Sequence, residues 1–139
     1  MKRIFLDTNI LLDVFLERSP FCEPAQMLWS LILNKKMQGA ISALSLNNIF
    51  YIVKKLTSTA KAYLAVETAA SSFKVIEVTA VMVRKTLQER WPDFEDALQY
   101  HAALKFRSQV IISRDASGFS DSKIPVMDCH QYLALLKQP

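Results

Sequence analysis

Two glycines in 139 residues leave this chain little material for tight hairpin turns. A small all-β sandwich or barrel needs the φ > 0 backbone that glycine adopts most easily at hairpin after hairpin. Helices, or helices alternating with strands, are what such a chain can build. An apolar content of 51% against 22% charged residues supplies a core and excludes a disordered or low-complexity chain. The length falls within the usual range for one domain, so residues 1–139 are read as a single domain.

Short apolar runs alternate with longer stretches of helical spacing. Residues 2–6 form a strand candidate that stops at Asp7-Thr8-Asn9, after which Ile10, Leu11, Val14 and Phe15 recur at helical spacing. Pro20 opens a second helix with an apolar stripe of Met27, Leu28, Leu31 and Ile32, and Gly39 breaks that pattern before a strand at 40–43. Ser45 is read as the cap of a helix reaching Leu56, followed by an Ala-rich helix at 59–72 and a strand at 73–78. Thr79 caps a helix that Trp91-Pro92 ends, and residues 93–96 open the next one. Strands at 110–113 and 124–127, the latter at a sheet edge, and a helix from Asp128 through Leu136 complete the chain. Strands separated by helices pair in parallel through right-handed crossovers. The expected architecture is therefore α/β, a three-layer α/β/α sandwich around a mainly parallel five-stranded sheet, with no internal repeat and no linker.

Several classes fall away on elementary grounds. Met1-Lys2-Arg3 and the apolar residues after it imitate a signal peptide, but Asp7, Asn9 and Asp13 interrupt the run and no small-residue cleavage site follows. No stretch approaches the roughly 18 apolar residues of a membrane span, so no membrane role and a cytoplasmic location are expected. Cys22 and Cys129 belong to no Cys-x-x-Cys pair and read as buried free thiols. A net charge of +4 and a pI near 9.1 permit a nucleic-acid partner without demanding one. The basic pairs Lys35-Lys36, Lys54-Lys55 and Arg84-Lys85 lie toward helix C-termini, where the helix dipole already favours cations.

In an open parallel sheet, the carboxyl ends of the strands and the amino ends of the following helices share one rim, where ligands bind. Asp7 follows the first strand, Asp96 starts a helix and Asp115 follows the strand at 110–113, so all three belong to that rim. Taken singly, each reads as an N-cap, a first-turn carboxylate or a turn residue. Taken together, three carboxylates in one pocket repel unless a hard cation or a proton joins them. Mg²⁺ or Mn²⁺ suits oxygen-only ligation, and such a site can activate water against a phosphodiester.

At this point the residues carry a resemblance. The opening Ile4-Phe5-Leu6-Asp7-Thr8-Asn9-Ile10-Leu11-Leu12-Asp13 resembles the start of a PIN domain. The likeness continues through Ile41-Ser42-Ala43-Leu44-Ser45-Leu46, Asp93-Phe94-Glu95-Asp96-Ala97-Leu98-Gln99 and Ile111-Ile112-Ser113-Arg114-Asp115, and ends near Ile124-Pro125-Val126. It implies a PIN-like α/β/α fold and a Mg²⁺- or Mn²⁺-dependent ribonuclease acting on RNA, often the VapC-type toxin of a bacterial pair with an antitoxin protein. It also implies that Asp7, Asp96 and Asp115 are the catalytic metal-centre acids, that Thr8, Asn9 and Ser113 are polar supports, and that the molecule is a homodimer. Helices one and two are the expected dimer surface.

The family usually carries a further acid, a Glu on the helix after the second strand, and here Asn48 stands at the matching position. An amide oxygen can ligate a hard cation but brings no charge and no base. Asp93, three residues before Asp96, offers a compensating carboxylate, or a plain helix cap. Two readings follow: an active ribonuclease, or a catalytically weakened PIN-like domain that binds RNA or a protein partner. Arg114, beside Asp115, is the candidate RNA-phosphate contact, with a salt bridge to a nearby carboxylate as its alternative. His101, His130, Trp29, Phe50, Tyr51 and Tyr100 read as surface or packing residues. A haloacid-dehalogenase-type phosphatase would need an Asp where Asn9 stands, and a phospho-receiver would need one after the third strand, where Glu77-Val78-Thr79 runs.

Overall fold

The computed structural model describes residues 1–138. Five strands, β1 (Arg3–Leu6), β2 (Gln38–Ser42), β3 (Lys74–Ile76), β4 (Val110–Ile112) and β5 (Val126–Met127), form one sheet in the order β3-β2-β1-β4-β5. Every pairing is parallel. The helices are α1 (Thr8–Phe15), α2 (Cys22–Leu33), α3 (Ala43–Leu56), α4 (Thr59–Ser72), α5 (Ala80–Glu89), α6 (Phe94–Phe106) and α7 (Cys129–Leu136), with a 3-10 turn at Ala116–Phe119. The strand order reverses at β1, which pairs with β2 on one side and β4 on the other, so the carboxyl ends of β1 and β4 flank the switch point.

Alternation along the strands creates the two core layers. Ile4, Leu6, Ile41, Val110 and Ile112 face one side, where α1, α2, α3, α4 and α7 cover them. Phe5, Ala40 and Ile111 face the other, packed by residues of α5, α6 and the 3-10 turn. Gly39 belongs to β2 rather than to a break: a Cβ there would stand 2.6 Å from Ile32 Cδ1, so its bareness lets α2 seat closely on the sheet.

The α/β/α expectation is met, with local corrections. Ser42, not Ser45, caps α3, because β2 runs into the helix without a loop and the Ser45 hydroxyl is engaged elsewhere. The second helix starts at Cys22 rather than Pro20, and Pro24 falls in its first turn, where a missing N–H costs nothing. Thr79, Asp93 and Asp128 cap α5, α6 and α7. The 3-10 turn was not foreseen.

Candidate functional site

The β1–α1 junction fixes the first carboxylate. Asp7 caps α1, accepting the Thr8 N–H at 2.8 Å, and its other oxygen accepts the Ser113 hydroxyl at 2.7 Å. Ser113 Oγ in turn accepts the Asp115 N–H at 3.0 Å, so one hydroxyl at the end of β4 ties the two acidic segments together. Asp115 caps the 3-10 turn, accepting from Ser117 Oγ at 2.7 Å and Gly118 N at 3.3 Å. A Cβ on Gly118 would collide with the Asp96 carboxylate, so this turn closes on α6 only because residue 118 is glycine.

Asp7, Asp96 and Asp115 line one cavity of about 360 Å³, together with Thr8, Asn9, Asn48, Asp93 and Glu95. The expected convergence of the three acids is therefore present, and Thr8, Asn9 and Asn48 are beside them. Asp93 lines the same cavity, but one of its oxygens is occupied as the α6 cap, accepting the Asp96 N–H at 2.9 Å. Glu95, which sequence reading passed over, is the acid that meets Asn48: the Asn48 amide donates to Glu95 Oε1 at 2.7 Å.

Beneath the carboxylates lies a buried polar latch. The Gln99 amide donates to Thr8 Oγ1 at 3.1 Å and to Ser45 Oγ at 2.9 Å, and the two hydroxyls are 2.7 Å apart. Gln99 and Ser45 are wholly buried, so the latch pins α1, α3 and α6 to one another below the acids. Gln99 follows Asp96 by three residues on α6, which places the two on neighbouring positions of one helix face.

The electrostatics reflect the crowding of these carboxylates. Burial raises the Asp7 carboxyl above its usual range, against the hydrogen bonds from Ser113 and Thr8, and the charges of Asp115 and Asp93 add to the rise. Burial followed by the charges of Asp7, Asp93, Asp115 and Glu95 pushes Asp96 up to about 7. Glu95 is raised by the same two causes, opposed by its bond from Asn48.

The donor set is all oxygen, and the buried Oδ1 of Asn9 has no hydrogen-bond partner, which suits a hard cation. Among the described residues, no three His, Cys, Asp or Glu side chains are close enough to grip one ion as they stand. The acids ring a space rather than close on a point.

Arg114 is placed away from this cavity, and the salt-bridge alternative describes it. Its Nε donates to Asp13 Oδ2 at 2.7 Å and its Nη2 to Asp13 Oδ1 at 2.9 Å, with the guanidinium 4.0 Å over the Phe21 ring. Neighbours along an extended chain point to opposite sides, so Ser113 turning toward Asp7 sends Arg114 toward α1. His101 is buried and bonded to Glu89, Trp29 packs between Phe15 and Phe73, and Tyr100 stacks on Trp91. Tyr51 is exposed. No helix among the described residues is long and apolar enough to cross a membrane.

The comparisons with known proteins agree with the fold. Ribonuclease VapC1 of Aquifex aeolicus is 24% identical over 124 residues, covering 86% of this chain and 85% of that one. The crystal structure of Mycobacterium tuberculosis VapC20, described as a Sarcin-Ricin loop cleaving toxin, superposes with a TM-score of 0.69 at 18% identity, covering 85% of this chain and 94% of that one. DNA-bound VapBC from Salmonella typhimurium gives 0.68 at 17% identity, covering 93% and 99%. These structures share the fold. A PIN-domain family model matches residues 3–117, from β1 through the turn that carries Asp115, and the chain belongs to the PIN-domain family.

Proposed function

We propose that the chain is a divalent-metal-dependent ribonuclease, the toxin of a toxin–antitoxin pair. The observation that carries the reading is the gathering of Asp7, Asp96 and Asp115 around one cavity with no cationic side chain among its lining residues. Its similarity to ribonuclease VapC1, and to structures of VapBC complexes, supports both the activity and the partner. Asp7, Asp96 and Asp115 would hold Mg²⁺ or Mn²⁺, with the unpartnered Asn9 oxygen within the same cavity. A Mg²⁺ ion keeps several waters and needs only one or two direct carboxylates, which suits acids that ring a space. When bound, it would supply Lewis-acid stabilisation of phosphodiester charge and a more acidic water.

The protein's own groups divide the remaining work. Ser113 and Thr8 fix the Asp7 carboxylate, while the latch of Gln99, Thr8 and Ser45 holds the helices that carry it. Burial and the neighbouring carboxylates favour a proton on Asp96, and a cation would displace it. Glu95, hydrogen-bonded by Asn48, adds a carboxylate to the lining of the same cavity. The weakened-domain reading rested on Asn48 and loses its ground when Asn48 positions a carboxylate.

A homodimer and a cytoplasmic location, where RNA is met, belong to the same reading. Ile10, Leu11 and Leu12 of α1 are buried in the core, so exposed Met27 and Leu33 of α2 are left to serve a dimer contact. The test is hydrolysis of mixed RNA by the purified chain against Mg²⁺ and Mn²⁺ concentration. Cleavage should be saturable in metal, abolished by chelation, and lowered at least about a hundredfold in Asp96→Asn, the scale of losing one charge-stabilising group. Chelator-resistant cleavage, or none at any metal concentration, rejects the reading.

A further inference from the structure

The largest hollow described lies at the opposite rim, where the strands begin. It measures about 710 Å³, is open to solvent, and is lined by Arg3, Lys35, Lys74 and Lys105 around an apolar floor that includes Met37 and Phe106. No Asp or Glu is among its lining residues. Lys105 is paired with Glu77 at 2.8 Å, and Arg3 donates to the Phe106 carbonyl while its guanidinium lies 5.4 Å from the Phe106 ring centre. Lys35 and Lys74 are exposed and have no carboxylate partner among the described residues.

Helix dipoles account for part of this charge. Lys35 and Lys105 lie at the C-terminal ends of α2 and α6, where cations are favoured. Arg3 and Lys74 open strands β1 and β3, Arg3 donating to the last carbonyl of α6 and Lys74 following the C-cap of α4, so the four cations gather where the C-termini of α2, α4 and α6 come together. Lys35 also adopts a left-handed backbone, φ 58°, in the segment after α2 where glycine commonly closes a helix.

We infer that this basic hollow binds the phosphate backbone of a single-stranded RNA. The inference rests on the RNA substrate proposed above. An acidic rim repels a polyanion until its cation arrives, and Arg114, the cation beside Asp115 in sequence, is consumed by Asp13. Cations able to hold RNA must therefore stand elsewhere, and a basic groove with apolar and aromatic surface is the general design for single strands. The two rims are separated by the four residues of β1, roughly 13 Å at about 3.3 Å per residue, so an ordinary RNA can reach both.

The test is fluorescence anisotropy of a labelled 20-nucleotide single-stranded RNA in EDTA, from 50 to 200 mM salt. Wild type should bind, and Lys35→Gln/Lys74→Gln should weaken binding and reduce the slope of log K against log salt by about 0.7 for each cation removed. Lys54→Gln/Lys55→Gln, exposed on α3, is the control and should keep the wild-type slope. Absence of wild-type binding, an unchanged slope in the first variant, or equal losses in both variants overturns the inference. Displacement of RNA by millimolar inorganic phosphate without any dependence on RNA length assigns a small-anion site and overturns it too, as does loss of a dimer with RNA binding intact. Because EDTA silences metal-dependent turnover, the two readings separate. Metal-dependent cleavage with unaltered slopes rejects only the basic hollow, and a reduced slope without any metal-dependent cleavage rejects only the nuclease.

Discussion

Asp7 and Asp13 stand at opposite ends of α1, at 7% and 1% exposure, and the protein treats them in opposite ways. Asp13 receives two hydrogen bonds from Arg114 and a further ion pair with Arg18 at 3.7 Å. Its charge is neutralised within the fold. Asp7 receives only a hydroxyl and a backbone N–H, and other carboxylates face it across the cavity. The same side chain is thus a structural fastener at one end of the helix and an unneutralised charge at the other, and the second arrangement is tolerable when something outside the chain supplies the cation.

The sharpest break of this comparison is in stability. Asp13→Ala leaves Arg114 without its partner and should cost about 3 kcal/mol, the low end for breaking a buried pair because Arg114 can still reach water. Asp7→Asn keeps one acceptor oxygen for the Thr8 N–H and turns an amide N–H₂ toward Ser113, whose hydroxyl can accept it, while removing a repelled charge, so at pH 8 without metal it should raise the melting temperature. Urea and thermal denaturation of both variants check the contrast. Equal losses would show that Asp7, too, is a structural residue.

The pH dependence should follow from the raised carboxyls. A group whose folded pKa lies above its unfolded value stabilises the fold below the unfolded pKa and loses that contribution as pH rises through the folded one. For Asp96 the window runs from its ordinary 3.8 to about 7. Metal-free protein should therefore melt at lower temperature at pH 8 than at pH 5.5, and Asp96→Asn should flatten that slope. A slope identical in the variant would remove Asp96 from the account.

Asn48 offers the smallest effect. It donates one hydrogen bond to a charged acceptor at an exposed position, so Asn48→Ala should reduce metal-dependent cleavage only a few-fold, in line with about 1 kcal/mol. Glu95→Gln should produce a larger loss, and the double variant should add nothing beyond it. Additive losses would mean that Asn48 acts other than through Glu95.

What was legible in the sequence follows the same division. The polarity break after Ile4-Phe5-Leu6 and the turn after β4 announced Asp7 and Asp115, because strand ends in a parallel sheet have one destination. Asp96 was legible from its place at a helix start. Glu95 was not, since its role depends on Asn48, 47 residues away, being brought opposite it by tertiary packing. Gln99 reads as an ordinary helical residue and Ser45 as a helix cap, because a hydrogen-bonded latch among buried polar groups has no periodicity of its own. Arg114 stays open in the sequence between a phosphate contact and a salt bridge for a related reason: adjacency to Asp115 along the chain does not say which side faces the cavity, and alternation turns Arg114 to Asp13.

Calorimetric titration of Mn²⁺ into the metal-free protein, repeated between pH 6 and 8, tests the central claim that this acidic rim awaits a cation. One ion should bind per chain, with affinity rising toward about tenfold per pH unit below pH 7 as one proton leaves Asp96. Binding should be severely weakened in Asp7→Asn. Binding of equal strength in wild type and Asp7→Asn, with no dependence on pH, would contradict it.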